Sequence, residues 1–235
     1  MSSTPRQQHP RCSTERRIVM PHHDTPAAAW AELRAGNTRF IEDKMEHPSQ
    51  GFDRREQLKV AQHPFAVVFG CSDSRVAAEI IFDQGLGDVF VVRTAGHVVD
   101  TTVIGSIEYG VDILDTRLVV VLGHDSCGAV AAAMHALATG EQPSGFVRAV
   151  VDRVIPSIVG ITAANGGGFE TVSADVLRRE HVRHTVSMLH SYSAGLAKAV
   201  AEGRCAIVGV EYDLADGHAR LIEAIGDIGD AEFDV

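Results

Sequence analysis

Several things are scarce in this chain, and each scarcity excludes a class of protein. No apolar run approaches the roughly 20 residues a helix needs to cross a bilayer, so no membrane partner is expected. Positive charge is in deficit: 21 Lys and Arg stand against 31 Asp and Glu, for a formal net charge of -10. Such a surface repels phosphate backbones, so nucleic acid is not an expected partner either. Cysteine is sparse, with four in 235 residues, at positions 12, 71, 127 and 205. A small secreted disulfide framework is denser and more regular. Metal binding, catalysis or plain burial remain for the thiols. The first 19 residues carry arginines at 6, 11, 16 and 17 and no apolar stretch, which does not fit a secretory signal. A cytoplasmic protein is the expectation.

What is present suits one globular domain: 45% of residues are hydrophobic and 22% charged. Residues 1–24 are polar and aperiodic and are expected to be a disordered tail, with a single domain over 25–235. Thr25 and Pro26 read as the N-cap and first position of a helical arm. Trp30, Leu33, Asn37, Phe40 and Ile41 share one face of it. Four runs follow: "FAVVFG" (65–70), "VFVV" (89–92), "LVVVLG" (118–123) and "AIVGV" (206–210). None alternates, so each reads as a strand buried on both faces. Helical patterns lie between them, including a stripe of Ile104, Ile107, Val111 and Leu114. The insert over about 141–200 reads as helices broken near Pro156 and near the glycines at 166–168. Asp216-Gly217 signals a type I′ hairpin into an edge strand near 218–223. The expected fold is α/β: a mostly parallel central sheet of four strands plus an antiparallel edge strand, flanked by helices, with an N-terminal helical arm.

Two strand ends carry the chemistry. The first reads "GCSDSR" (70–75), with Cys71, Asp73 and Arg75 at every second position. Strand-like alternation would put all three on one side. The third reads "LGHDSCG" (122–128), where His124 and Cys127 are separated by two residues, a chelating distance on a tight turn. In parallel sheets, ligands bind at the carboxyl ends of strands where strand order reverses. If the first and third strands are neighbours, Cys71, His124 and Cys127 converge. Two thiolates and an imidazole form a known catalytic zinc set with an open fourth position, and they favour Zn2+ over Mg2+ or Ca2+. Two buried structural cysteines with a capping histidine would be the bland reading. A redox pair is weaker, because no C-x-x-C occurs. Glu180, His181 and His184 read as a polar helix face, His97 and His135 have no evident partners, and Cys205 reads as a small buried hydrophobe.

"CSDSR" followed by "GHDSCGA" resembles the β-class carbonic anhydrases. "LRAGNTRF" (33–40), "VVRTAG" (91–96) and "SIEYGV" (106–111) match as well, and the likeness runs from about Pro26 to the C-terminus. The resemblance implies one Zn2+ per subunit, held by Cys71, His124 and Cys127. It implies reversible hydration of CO2 to bicarbonate and a proton, by attack of zinc-bound hydroxide on CO2. It implies a catalytic Asp73–Arg75 dyad, in which Asp73 can also become the fourth metal ligand. It implies a substrate pocket drawing on Gln62, Phe90, Ala95, Tyr109 and Gly128, with Gln62 reaching in from the partner subunit. Ala95 stands where many members carry Val. A homodimer or dimer of dimers is implied, with the helix from Pro26 to Ile41 packed on the neighbour. Some members hold a second bicarbonate with a Trp, an Arg and a Tyr; Val68 replaces the Trp here, while Arg93 matches the Arg. Two thiolates and a neutral histidine leave the zinc site formally neutral, so its water is a weak acid and activity is expected to rise toward alkaline pH. Hydrolysis of carbonyl sulfide or carbon disulfide on the same scaffold, or a non-catalytic zinc-binding protein, are the alternatives.

Overall fold

A computed structural model describes residues 23–165 and 172–231. The expected tail lies outside the described residues up to position 22, as do the glycines at 166–168. Five strands form one sheet: β1 (Ala66–Cys71), β2 (Val89–Thr94), β3 (Leu118–His124), β4 (Ala206–Tyr212) and β5 (Ala219–Ile225). Their order is β2-β1-β3-β4-β5, with β5 alone antiparallel. β1, β3 and β4 are buried at every residue, whereas the edge strands β2 and β5 are mostly half-buried. Continuous valine-rich runs offer water no polar face, so they occupy the middle of the sheet. Successive residues serve opposite faces. Ala66 and Val68 join one core with Trp30 and Leu33, while Val67 and Phe69 join another with Ile107, Val111, Val186 and Leu189.

The first helix, α1 (Pro26–Ile41), begins as its sequence dictates. The Thr25 hydroxyl accepts from the Ala28 N–H at 3.1 Å, and Pro26 needs no partner for a missing donor. Trp30 and Leu33 are buried in this chain's own core, whereas Phe40 and Ile41 farther along the same face are only partly buried. Gly36 lets α1 touch the backbone beyond the one-turn helix α3 (Ala78–Ile81): a Cβ there would lie 1.8 Å from the Phe82 carbonyl oxygen. Asn37, polar on that otherwise apolar face, donates to the carbonyls of Ile81 (3.1 Å) and Gly217 (2.9 Å) and accepts from the Ala219 N–H (2.9 Å). It thereby ties α1 to the loop before β5.

The remaining helices are α2 (Phe52–Gln57), α4 (Thr101–Glu108, continuing as a π turn over Tyr109–Ile113), α5 (Gly128–Thr139), α6 (Val147–Asn165), α7 (Ala174–Tyr192) and α8 (Ala194–Ala201). Two local expectations are corrected. Pro156 does not break the chain; α6 runs through it. Val151, Val154 and Ile158 form a fully buried stripe around it, and that burial outweighs the one backbone bond a proline removes. The turn into β5 is not type I′, because only Gly217 of the pair has positive φ (+78°). The Asp213 carboxylate instead accepts from the N–H groups of Ala215 (2.8 Å) and Asp216 (3.1 Å), building a wider loop. Among the described residues no helix is long and apolar enough to cross a membrane.

Candidate metal centre

β1 pairs with β2 on one side and β3 on the other, so the strand order reverses beside β1. That is the place where a crevice opens at the carboxyl ends of the strands. Cys71 ends β1, His124 ends β3, and Cys127 caps α5 three residues later. One ligand atom from each lies within 4.8 Å of the others, and all three residues are buried. The His124 Nδ1 sits 2.6 Å from the Asp125 carbonyl. A carbonyl only accepts, so Nδ1 carries the proton and Nε2 presents a lone pair. That Nε2 is buried with no hydrogen-bond partner. A bare buried acceptor costs about 1–3 kcal/mol, a cost that a bound cation removes. The thiols point the same way. A hydrogen bond with Cys127 lowers Cys71 and favours its thiolate, while the same bond and burial push Cys127 up. Two sulfurs and one imidazole nitrogen suit a borderline-soft ion such as zinc, with one tetrahedral position left over.

Asp73 and Arg75 reach the site by a route that differs from the expected one. β1 stops at Cys71, and residues beyond it form a turn in which the Val76 N–H donates to the Asp73 carbonyl at 3.0 Å. Asp73 Oδ1 accepts from both the backbone N–H and the Nε of Arg75, each at 2.9 Å, and Oδ2 accepts from Nη2 at 2.7 Å. A turn closed by Asp73 itself, rather than a strand's pleat, sets the pair. The Arg75 hydrogen bonds hold the Asp73 carboxyl well below the usual carboxylate range. Asp73 faces Arg75 and is not one of the three converging donors. Arg93, from β2, donates to the carbonyls of Cys71 (3.0 Å) and Asp73 (2.6 Å) and so braces this turn from behind. Its guanidinium is thus engaged with backbone, and Val68 lies fully buried in the core.

Two backbone N–H groups aim at the Cys71 sulfur: Gly96 at 3.3 Å and Asp73 at 3.4 Å. Gly96 has φ +64°, and a Cβ there would lie 2.5 Å from that of Ala129. Ala95 is exposed next to it, and Gly128 is exposed in the first turn of α5. The other three expected pocket residues lie elsewhere. Phe90 pairs with Val67, four residues back from Cys71, which is about 13 Å along a strand. Its ring is 6.1 Å from that of Tyr109. Tyr109 is exposed and lines an open cleft with Gln62, Leu58, Leu86 and Leu114. The chain therefore gathers Cys71, His124, Cys127, Asp73, Arg75, Ala95 and Gly128 at one place, and groups Gln62, Phe90 and Tyr109 at another.

His181 is not on a polar helix face, as its neighbours suggested. It is buried, with Nε2 donating to the Gly96 carbonyl at 2.9 Å and Nδ1 3.1 Å from the Ser157 hydroxyl. The His97 ring lies against it, tilted by 36°, with centroids 4.3 Å apart. A signal existed in the sequence: position 181 falls four after Leu177 and eight before Leu189, both fully buried. His135 is exposed beside Glu141, and Cys205 is buried, with burial raising its thiol to about 12.

A family model for carbonic anhydrases matches residues 66–219. The carbonic anhydrase of Mycolicibacterium smegmatis is 55% identical over 208 residues, 88% of this chain and 98% of that protein. Carbonic anhydrase 2 of Mycobacterium tuberculosis is 53% identical over 205 residues, 87% of this chain and 97% of that protein. Among solved structures, the β-carbonic anhydrase of Coccomyxa in complex with acetazolamide matches with a TM-score of 0.64 at 25% identity, covering 83% of this chain and 87% of that one.

Proposed function

The chain belongs to the β-class carbonic anhydrase family and is a lyase of that kind, and from this premise we propose that it catalyses zinc-dependent, reversible hydration of CO2 to bicarbonate and a proton. One observation carries the metal reading: His124 Nε2, buried and unpartnered, stands with two thiol sulfurs around a single point. Zinc held there would supply Lewis acidity to a water at the fourth position and ready it for attack on CO2.

The chain's own groups divide the remaining work. Asp73, kept ionised by Arg75, is too weak a base to remove a proton near neutral pH. It serves as a fixed hydrogen-bond acceptor that orients the attacking water. Arg75 holds it there by a two-pronged contact. Released from Arg75, Asp73 would be free to take the fourth metal position and close the site. Ala95 and Gly128 leave open space for a small substrate. Gln62, Phe90 and Tyr109 complete the pocket of a neighbouring copy; their distance from this chain's own Cys71 supports a site shared between subunits. A monomer on sedimentation would overturn that part.

The test combines zinc stoichiometry with stopped-flow CO2 hydration, on wild type and Asp73→Asn. One zinc per chain is expected in both, with hydration in the wild type that rises toward alkaline pH and falls on the order of 100-fold in the variant. Bound zinc with no wild-type hydration at about pH 8.5 would overturn the proposed reaction.

A further inference from the structure

Behind Cys71 lies a buried polar chain with no evident need to exist. His181, on α7, is 2% exposed. Its Nε2 reaches 85 residues back in sequence to the Gly96 carbonyl at 2.9 Å. The Gly96 N–H in turn donates to the Cys71 sulfur at 3.3 Å. On its other side, the His181 Nδ1 meets the Ser157 hydroxyl of α6 at 3.1 Å. Two helices and the turn after β2 are thereby linked to one metal-binding sulfur.

An apolar side chain would fill this position at lower cost, since burial, helped by nearby His184, holds His181 neutral, with a pKa lowered to about 4. The turn it grips is also strained. Gly96 and His97 both have positive φ, +64° and +41°, and His97 has a side chain to accommodate in that region. Such a turn relaxes unless something over-determines it. Three contacts do so: the Thr94 hydroxyl donates across the turn to the Val98 carbonyl at 2.9 Å, the His97 ring lies tilted against His181 at 4.3 Å, and the Nε2 bond holds Gly96 itself. Neither ring nitrogen of His97 has a hydrogen-bond partner, so His97 contributes packing while His181 contributes the directed bond.

We propose that His181 is a positioning residue: by gripping the Gly96 carbonyl it fixes the chain on one side of the Gly96 Cα, so that the Gly96 N–H on the other side stays on the Cys71 sulfur, and it thereby sets how firmly the centre retains its metal. The proposal rests on the metal reading above. An N–H···S bond draws charge from a thiolate and fixes the direction of its remaining lone pairs, so losing it perturbs both the sulfur's energy and its geometry.

The test exploits the two nitrogens of the ring. A glutamine amide nitrogen matches the reach of Nε2, whereas an asparagine amide matches only Nδ1. His181→Gln should therefore keep the bond to Gly96, and His181→Asn should lose it, although both remove the same buried ring. With cobalt in place of zinc, the thiolate-to-metal charge-transfer band of His181→Gln should match wild type. That of His181→Asn should move to lower energy, with metal released to a chelator on the order of 10-fold faster. Ser157→Ala, which frees only the far side of the ring, should shift both readouts in the same direction by less. Glutamine and asparagine variants with the same band and the same release rate, or a Ser157→Ala band unmoved while both histidine variants fail to fold, would overturn the role of His181. A wild-type protein that takes up no cobalt would overturn the metal reading itself, and this one with it.

Discussion

Two of the chain's aspartate–arginine pairs, Asp83–Arg39 and Asp73–Arg75, share near-identical chemistry and differ in character. Asp83 is buried, and its carboxylate accepts from Arg39 Nε (2.6 Å) and from the backbone N–H groups of Glu46 and His47 (3.0 Å each). Those three donors come from two separate segments of chain. Asp73 also accepts three hydrogen bonds, but every one comes from Arg75, two residues away. The Arg75 side chain is 53% exposed, whereas Arg39 is 22% exposed and also contacts Glu32. Both aspartates are held ionised by their surroundings. What separates them is how many independent anchors must fail before the carboxylate can move. Asp83 is a joint; Asp73 hangs on one residue, through its backbone N–H and a side chain that water already reaches. A carboxylate held by a single residue suits the switch proposed for Asp73, and one anchored from two separate segments does not.

Removing the buried carboxylate tests that contrast at its strongest. Asp83→Ala leaves Arg39 with Glu32 and the residue-83 carbonyl and strands two backbone N–H groups, so chemical denaturation should register a loss of about 3 kcal/mol. The activity of the protein that remains folded should stay at the wild-type level. An unchanged denaturation midpoint would remove the distinction between the two pairs. The mirror experiment is Arg75→Ala. Here activity should fall on the order of 100-fold while zinc content stays near wild type and the melting temperature moves by less than about 2 °C. Loss of zinc instead would make Arg75 structural, and so equivalent to Arg39. Arg75→Lys sharpens the same point with a smaller effect. Lysine keeps the charge but offers one point donor where arginine offers a fork, so activity should drop about 10-fold. Wild-type activity in that variant would mean that charge alone positions Asp73.

How far these features could be read from sequence depends on how local their causes are. The four parallel strands were legible because valine runs without polar interruption have few other fates. The convergence of Cys71, His124 and Cys127 was legible because two strand ends and one tight turn suffice to specify it. The Asp73–Arg75 pair was legible as a pair, but its geometry was not: alternation suggested a continuing strand, while Asp73 folds the chain back on its own side chain. Pro156 misled because a proline's local cost was weighed without the buried stripe of Val151, Val154 and Ile158. Helical spacing marked His181 as buried, but neither His181 nor Arg93 carried a local mark of its hydrogen-bond partner. Arg93 braces a turn on the neighbouring strand, and His181 grips one 85 residues away, so both depend on a fold that must be complete before the contact has meaning.

The smallest expected effect separates the pairs by acid rather than by truncation. Each carboxyl has a folded-state pKa below its ordinary value of about 3.9. Below that value the unfolded chain binds the proton first, so the stability each pair contributes is present above about pH 4 and lost as the pH falls further. Asp83 sits out of water, so its share should be measurable; Asp73 is paired with an exposed arginine, and solvent screens its share. Asp83→Asn should therefore flatten the decline of stability below about pH 4, whereas Asp73→Asn should leave that decline as in wild type. Release of metal in acid is common to all three proteins and cancels in the differences. Equal flattening in both variants would mean that Asp73 is as firmly held as Asp83, and a carboxylate held that firmly could not serve as the switch proposed for it.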